Sequence, residues 1–167
     1  MRRLCLLLSA VIISSPAFAQ LPVELNSDQQ ALLKSDDPKL AANKKLVFDF
    51  WTEVFQTRDM TKAPVYMRED YMQHNPIAAT GRAPFMKIFG SMPKQEKKNS
   101  IDNLVSMVAE GDLVVLAFRR TCKHPDKPGA TYTTTWFDML RIQDGMIAEH
   151  WDYGTLPGKG NPPDCTP

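Results

Sequence analysis

The chain has 167 residues, 43% of them apolar, which is enough to form one domain with a buried core. Its 20 basic and 19 acidic residues leave it close to neutral, and this argues against a nucleic acid or an anionic membrane surface as its partner.

The first 19 residues have the pattern of a secretory signal peptide. Arg2 and Arg3 precede an apolar run over residues 4–13, and Ala17, Phe18 and Ala19 form the small-x-small pattern of a signal peptidase site. The apolar run is about half of the roughly 20 residues that cross a bilayer, which argues against a membrane anchor. We therefore expect cleavage after Ala19 and a periplasmic or secreted mature protein with no membrane partner.

Export would leave two cysteines, Cys122 and Cys165, in an oxidising compartment. An even pair in such a compartment favours a disulfide over a nucleophile or a metal ligand. The bond would attach the Pro- and Gly-rich tail, residues 156–167, to the rest of the domain.

The first half of the chain has the patterns of helices. Asp37 followed by Pro38 predicts a helix start, because aspartate caps a helix well and proline suits its first turn. Apolar residues then recur four apart and predict one helix to about Arg58; they are Leu46, Val47, Phe50, Trp51, Val54 and Phe55. Shorter helices are predicted at residues 27–33, 62–67 and 82–89.

The second half changes to the period of strands. Residues 101–110, 113–121, 131–142 and 146–153 are rich in Val, Ile, Thr and aromatic residues, with turn signals between them. They predict four consecutive antiparallel strands, with His124 exposed in the longest connecting loop. Helices followed by such strands predict an α+β domain, in which the helices pack on one face of a curved sheet.

Two motifs resemble the SnoaL-like polyketide cyclase family of the nuclear transport factor 2-like superfamily. One is YMQHNP followed by Gly81, Arg82 and Phe85; the other is the run D-x-x-R-x-x-D-G-x-I-x-E-H-W-D from Asp138 to Asp152. We assign residues 20–38 to an N-terminal extension and residues 39–155 to this domain. The resemblance implies a cone: three helices over a strongly curved mixed sheet that includes residues 71–75, around an apolar cavity.

Characterised members of the family use acid-base residues inside the cone for an intramolecular aldol condensation. The resemblance implies the same kind of site here, without a metal or cofactor. Asp138 is the predicted base, because it alternates in phase with Leu140 and Ile142 and so lies on an apolar sheet face, away from water. The alternative is an ionised carboxylate that backbone N–H groups or Arg141 satisfy.

His74 is the second predicted catalytic residue. It precedes Asn75 and Pro76, where the chain must turn, so its imidazole is expected to point into the mouth of the cone. There it would share a proton with a substrate oxygen or with Asp138. The alternative is a structural role, in which His74 and Asn75 bond to the local backbone of the turn.

His150 is the third predicted catalytic residue. His150 and Asp152 share one face of the last strand, and Glu149 and Trp151 share the other. Asp138 and His150 each lie six residues from Asp144, in the turn between the two strands. If Gln143 lies opposite Met146, Asp138 and His150 are about one residue from direct opposition across the strands. This favours His150 inside the cavity, and a slip of one residue would reverse the choice.

Seven further residues are predicted to contact a ligand in the cone: Trp51, Tyr71, Asn75, Phe89, Trp136, Trp151 and Asp152. Trp151 belongs among them only if its face is the inner one. No metal is predicted, since the histidines and aspartates lack the local spacing of metal ligands.

These observations predict an exported acid-base enzyme of the aldol cyclase or isomerase type, acting on a small apolar carbonyl compound. One alternative is a ligand-binding protein of the same fold without turnover. Another is a structural or dimerisation module in which the polar residues only satisfy one another. Apolar residues on both faces of strands such as residues 113–118 also predict a homodimer through the outer face of the sheet.

Overall fold

The computed structural model describes residues 20–76, 78–154 and 165–166. The predicted signal peptide and most of the tail lie outside the described residues. None of the helices in the described part of the chain has the length and apolar character needed to cross a bilayer.

Helices precede most of the strands, as predicted. The helical elements are α1 (Gln29–Leu32), α2 (Pro38–Phe50) with a π-helical continuation (Trp51–Phe55), a 3-10 turn (Met60–Lys62), α3 (Ala63–Tyr66) and α4 (Arg82–Gly90). The carboxylate of Asp37 accepts a hydrogen bond from the N–H of Lys39 at 2.7 Å, so the predicted N-cap is confirmed. The long helix ends at Phe55, three residues before the predicted end.

Six strands form one sheet: β1 (Met67–Gln73), β2 (Leu104–Glu110), β3 (Leu113–Lys123), β4 (Thr131–Gln143), β5 (Met146–Asp152) and β6 (Cys165–Thr166). The order is β1-β5-β4-β3-β2, and β6 pairs with β3 beyond the end of β2. Strand β1 runs parallel to β5 and the other pairs are antiparallel, which confirms the mixed sheet. The predicted α+β class is therefore confirmed.

Alternation along the strands separates an inner face from an outer face. On β3, Val114, Leu116 and Phe118 are buried and join the core that also contains Val47 and Trp51 of the long helix. The inner face is the one that the helices cover. The exception to the predictions in this region is His124, which is half-buried beside Tyr132.

The hairpin of β4 and β5 contains a one-residue bulge. Gln143 pairs with Met146 and Ile142 with Ile147, but Arg141 pairs with Glu149, so Ala148 is the extra residue. Had the pairing next to the turn continued, Asp138 would oppose Trp151. With the bulge, Asp138 opposes Asp152, and Leu140 opposes His150.

The predicted register therefore holds only beside the turn, and the expected near-opposition of Asp138 and His150 is wrong. The two residues lie diagonally on the same inner face. His150 is on the predicted inner face, but for a different reason. The bulge puts it there, whereas an unbroken ladder would have placed it on the outer face.

The predicted disulfide is confirmed. Cys122 and Cys165 are bonded and pair across β3 and β6. The bond attaches β6, which follows β5 in the chain, to β3 of the sheet.

We expect Cys165→Ser to lower the free energy of unfolding by about 4 kcal/mol, because the bond closes a loop between residues 43 apart. Denaturant unfolding with and without a reductant measures the loss. The reductant should lower the stability of the wild type to that of the variant and leave the variant unchanged. A wild type that is insensitive to full reduction would contradict the expectation.

Candidate active site

Two adjoining cavities lie between the helices and the inner face of the sheet. The inner cavity has a volume of about 220 Å³, and the outer cavity has a volume of about 900 Å³. Both are bounded by Trp51, Phe55, Asp138 and Asp152, so the two carboxylates stand where the cavities meet. The other walls of the inner cavity are mostly apolar, with a polar end formed by β1, β4 and β5.

Asp138 and His150 form a hydrogen-bonded pair at that polar end. Asp138 Oδ1 lies 2.9 Å from His150 Nε2, and only 12% and 13% of the two side chains are exposed. The pair joins neighbouring strands of the inner face. Its Asp138 lines both cavities, whereas His150 lines the inner one.

Gln73 determines which nitrogen of His150 carries a proton. The backbone N–H of Asn75 donates to Gln73 Oε1 at 3.0 Å, which identifies that atom as the amide oxygen. The same oxygen lies 2.9 Å from His150 Nδ1, so Nδ1 must be protonated to donate to it. His150 Nε2 therefore faces Asp138 and shares one proton with that carboxylate or holds it as an imidazolium.

Asp152 is the second carboxyl group of the site. Its Oδ2 accepts a hydrogen bond from Asn75 Nδ2 at 2.9 Å, whereas its Oδ1 is buried and has no partner among the described residues. Burial raises the pKa of Asp152 and the charge of Asp138 adds to this, against the opposing effects of Asn75, His150 and Arg120. When this carboxyl group is protonated, it can donate through Oδ1.

Tyr71 contributes a hydroxyl group to the same end of the cavity. Gln73 Nε2 donates to Tyr71 Oη at 3.0 Å, and no described residue accepts the hydroxyl proton. Burial, together with the carboxylates of Asp152 and Asp138, raises the pKa of Tyr71 far above its usual range. The hydroxyl therefore keeps its proton and can donate it to a ligand.

His74 does not point into the cavity, so this prediction is wrong. Its backbone N–H donates to the carbonyl of His150, but its ring lies on the outer face, stacked on Trp151 with the ring centroids 5.0 Å apart. His74 Nε2 bonds Glu149 at 2.7 Å, and Arg141 donates to the same carboxylate at 2.8 Å. The reason is alternation, since Gln73 takes the inner position opposite His150 and the next residue faces outwards.

The predicted ligand-contact residues divide in the same way. Trp151 lies on the outer face and does not line either cavity, so it is no candidate for ligand contact there. The others line one or both cavities; they are Trp51, Tyr71, Asn75, Phe89, Trp136 and Asp152.

Sequence reasoning missed three polar residues of the site: Gln73, Arg58 and Arg120. Two of them carried a signal, since Gln73 alternates with Tyr71 and Arg120 alternates with Leu116 and Phe118 on β3. Arg58 carried none, because it follows the long helix in a left-handed backbone conformation with a φ of 61°.

Asp138, His150 and Asp152 are also the described side chains that could hold a metal ion. One ligand atom from each lies within 4.8 Å of the others, and the N–H of His150 toward Gln73 is the second contact that metal-binding histidines usually make. The predicted absence of a metal stays a prediction.

Comparisons with known proteins agree with this architecture. The profile of the SnoaL-like domain matches residues 48–150. A protein of Jannaschia sp. CCS1 assigned to the SnoaL-like polyketide cyclases is 17% identical, with 72% of this chain and 90% of that chain covered and a TM-score of 0.52. A protein of Acidithiobacillus ferrooxidans assigned as a polyketide cyclase has the same identity and coverage and a TM-score of 0.51.

No curated protein sequence matches the chain. At such identities the solved structures establish the fold alone, and they agree with a nuclear transport factor 2-like α+β fold. The profile covers more than half of the chain. The chain therefore belongs to the SnoaL-like domain family.

Proposed function

We propose that the protein is an exported acid-base enzyme, independent of cofactors, that acts on a small apolar carbonyl compound as an aldol cyclase or an isomerase. The observation that carries this proposal is the buried Asp138–His150 pair, with Tyr71 and Asp152 beside it at the polar end of an apolar cavity. Apolar walls with a few convergent polar groups are typical of small-molecule sites.

The chemistry begins with the removal of a proton from the carbon next to the carbonyl group. Asp138 accepts this proton through its second oxygen, Oδ2, and the electron pair moves onto the carbonyl oxygen to form an enolate. The hydroxyl of Tyr71 donates a hydrogen bond to that oxygen, and Asp152 donates a second one when it is protonated. In the isomerase case the ketone is β,γ-unsaturated, and Asp138 returns the proton to the γ carbon of the dienolate. In the cyclase case the enolate carbon attacks a second carbonyl of the same molecule, and the alkoxide so formed takes the proton back from Asp138.

His150 acts through Asp138 in this scheme. Both of its nitrogens are occupied, one by Gln73 and one by Asp138, so it orients the base and balances its charge. It is a positioning residue, and Tyr71 and Asp152 take the donor role that the sequence suggested for His74 or His150.

Export and dimerisation are further parts of the proposal. The signal-peptide pattern of residues 1–19 and the bond between Cys122 and Cys165 support export, since structural disulfides persist in oxidising compartments. An apolar row across the outer face supports a homodimer: Val108, Val115, Met139 and Trp151 pair in sequence across four strands. Phe137 lies beside this row and is 55% exposed.

We expect Asp138→Asn to slow deuterium exchange from D₂O into 2-tetralone or 1-indanone by roughly 10²- to 10⁴-fold, because the amide cannot accept the proton. Mass spectrometry of the ketone measures the exchange. The matched control is Asp144→Asn, which makes the same change in an exposed turn outside the cavities and should have no effect. If a metal chelator abolishes the deuterium exchange, the proposal that the enzyme works without a metal is contradicted.

If the wild type catalyses no exchange with these or related ketones, or if Asp138→Asn exchanges as fast as the wild type, the proposal fails. The ligand-binding alternative would then be favoured, and binding of the ketones would be unchanged by the substitution.

Asp152→Asn is expected to raise stability at neutral pH. Because the pKa of Asp152 is raised in the folded protein, its stabilising contribution is full at low pH and lost as the pH rises through the raised pKa. The asparagine variant has no such loss, so its advantage should shrink as the pH falls toward the ordinary aspartate pKa of 3.8. Denaturant unfolding at several pH values tests this, and an advantage that grows as the pH falls would contradict it.

Phe137→Glu is expected to convert the proposed dimer to a monomer, because it places a charge within the apolar outer face. Light scattering after gel filtration measures the mass. The control is Val65→Glu on α3, where the side chain is 69% exposed and does not belong to the apolar row of the outer face. A monomeric wild type, or a dimeric Phe137→Glu variant, would show that the interface lies elsewhere or is absent.

A further inference from the structure

Three arginines line the outer cavity without an ion pair among the described residues, and two of them, Arg58 and Arg120, also have a buried nitrogen without a hydrogen-bond partner. Arg58 follows the π-helical segment and Arg120 lies on the inner face of β3, so they reach the cavity from opposite walls. Neither forms an ion pair with any described residue. One nitrogen of each, Arg58 NH1 and Arg120 Nε, is buried and has no hydrogen-bond partner in the described part of the chain.

Buried guanidinium N–H groups without an acceptor lower stability unless a ligand supplies that acceptor. A buried N–H without an acceptor loses its hydration and gains nothing in return, and the loss is larger when the group is charged. Burial accordingly lowers the pKa of both arginines. In Arg120 the carboxylates of Asp138 and Asp152 oppose this effect from a distance, but neither bonds to it.

Aromatic rings hold both guanidinium groups in place. The Arg120 guanidinium carbon lies 3.6 Å from the centroid of the Trp136 ring, and that of Arg58 lies 4.5 Å from Phe55. Stacking leaves the edge of a guanidinium available for a planar acceptor, and the left-handed backbone at Arg58 is the kind of strained conformation found at binding sites.

The charges of the site favour an anion. Asp138 and His150 share a proton or form an ion pair with each other, so together they add no net charge. Lys98 pairs with Asp102, and Arg119 and Glu96 carry opposite charges, so the remaining charges at the walls of this cavity are those of Arg58, Arg120 and, where it is ionised, Asp152. The net charge of the walls is therefore positive. A carboxylate is the planar anion that matches a guanidinium edge with two hydrogen bonds.

We propose that the natural ligand carries a carboxylate, which Arg58 and Arg120 bind in the outer cavity while its carbonyl group reaches Asp138. The proposal rests on the proposed function for the position of the carbonyl group. It adds the substrate class: an apolar keto acid with its charge at one end. The aromatic rings of Trp51 and Trp136 line the space between the two ends.

The test compares 6-acetyl-2-naphthoate with its neutral amide, 6-acetyl-2-naphthamide, which has nearly the same shape. Tryptophan fluorescence follows binding, because Trp51 and Trp136 line the outer cavity. The acid is expected to bind more tightly than the amide by about tenfold or more, as hydrogen bonds to a charged group do. Arg58→Met and Arg120→Met should each reduce this preference.

The control is Arg68→Met, which removes the same charge outside the two cavities and should keep the preference. Far-UV circular dichroism checks that each variant is folded; since the two arginines lie on different elements, either variant can serve as the test. Equal binding of the acid and the amide, no saturable binding of the acid up to its solubility limit, or a preference that survives both substitutions would overturn the proposal.

Asp138→Asn separates this inference from the proposed function. The variant should keep the preference for the acid, whatever happens to deuterium exchange. If the arginine variants lose the preference for the acid and the wild type catalyses no exchange, the results would support a carboxylate-binding protein without turnover. If exchange depends on Asp138 but the acid binds no more tightly than the amide, the result would support the proposed enzyme and contradict a keto-acid substrate.

Discussion

The site depends on one extra residue in the hairpin of β4 and β5. The bulge at Ala148 shifts the pairing of the two strands by one position, and a shift of one reverses which side chains share a face. Asp138, His150 and Asp152 are thereby gathered on the inner face, while Glu149 and Trp151 are turned outwards. Without the shift, these three titratable residues would be divided between the cavity and the outer surface.

Asp138, His150 and Asp152 lie among apolar neighbours, and each forms a hydrogen bond with a specific side chain. Gln73 is central, because its amide joins Tyr71, the backbone of Asn75 and the ring of His150. Among the described residues, three buried side-chain atoms have no hydrogen-bond partner, and all belong to residues that line the outer cavity: Asp152 Oδ1, Arg58 NH1 and Arg120 Nε. Such atoms lower stability in the absence of a ligand, as binding sites generally do.

Much of the fold followed from periodicity. The cap at Asp37, the apolar stripe from Leu46 to Phe55 and the turn at Asp144 are local patterns, and local patterns report local structure directly. The parallel pairing of β1 with β5 did not follow from periodicity, and the family resemblance implied only a mixed sheet that includes residues 71–75. Strand pairing is set by residues distant in sequence, and β1 and β5 are separated by three other strands along the chain.

The sequence by itself determined an α+β domain, its main helix and its four-strand meander, because these depend on short-range patterns of residues; the acid-base role of the last hairpin stays a prediction. The tertiary structure decided which side chains share the cavity. It moved His74 to the outer face and brought Gln73, Arg58 and Arg120 to the site. The physical reason is that strand register, bulges and packing depend on contacts between distant residues, and a single shift of register exchanges one set of side chains for the other.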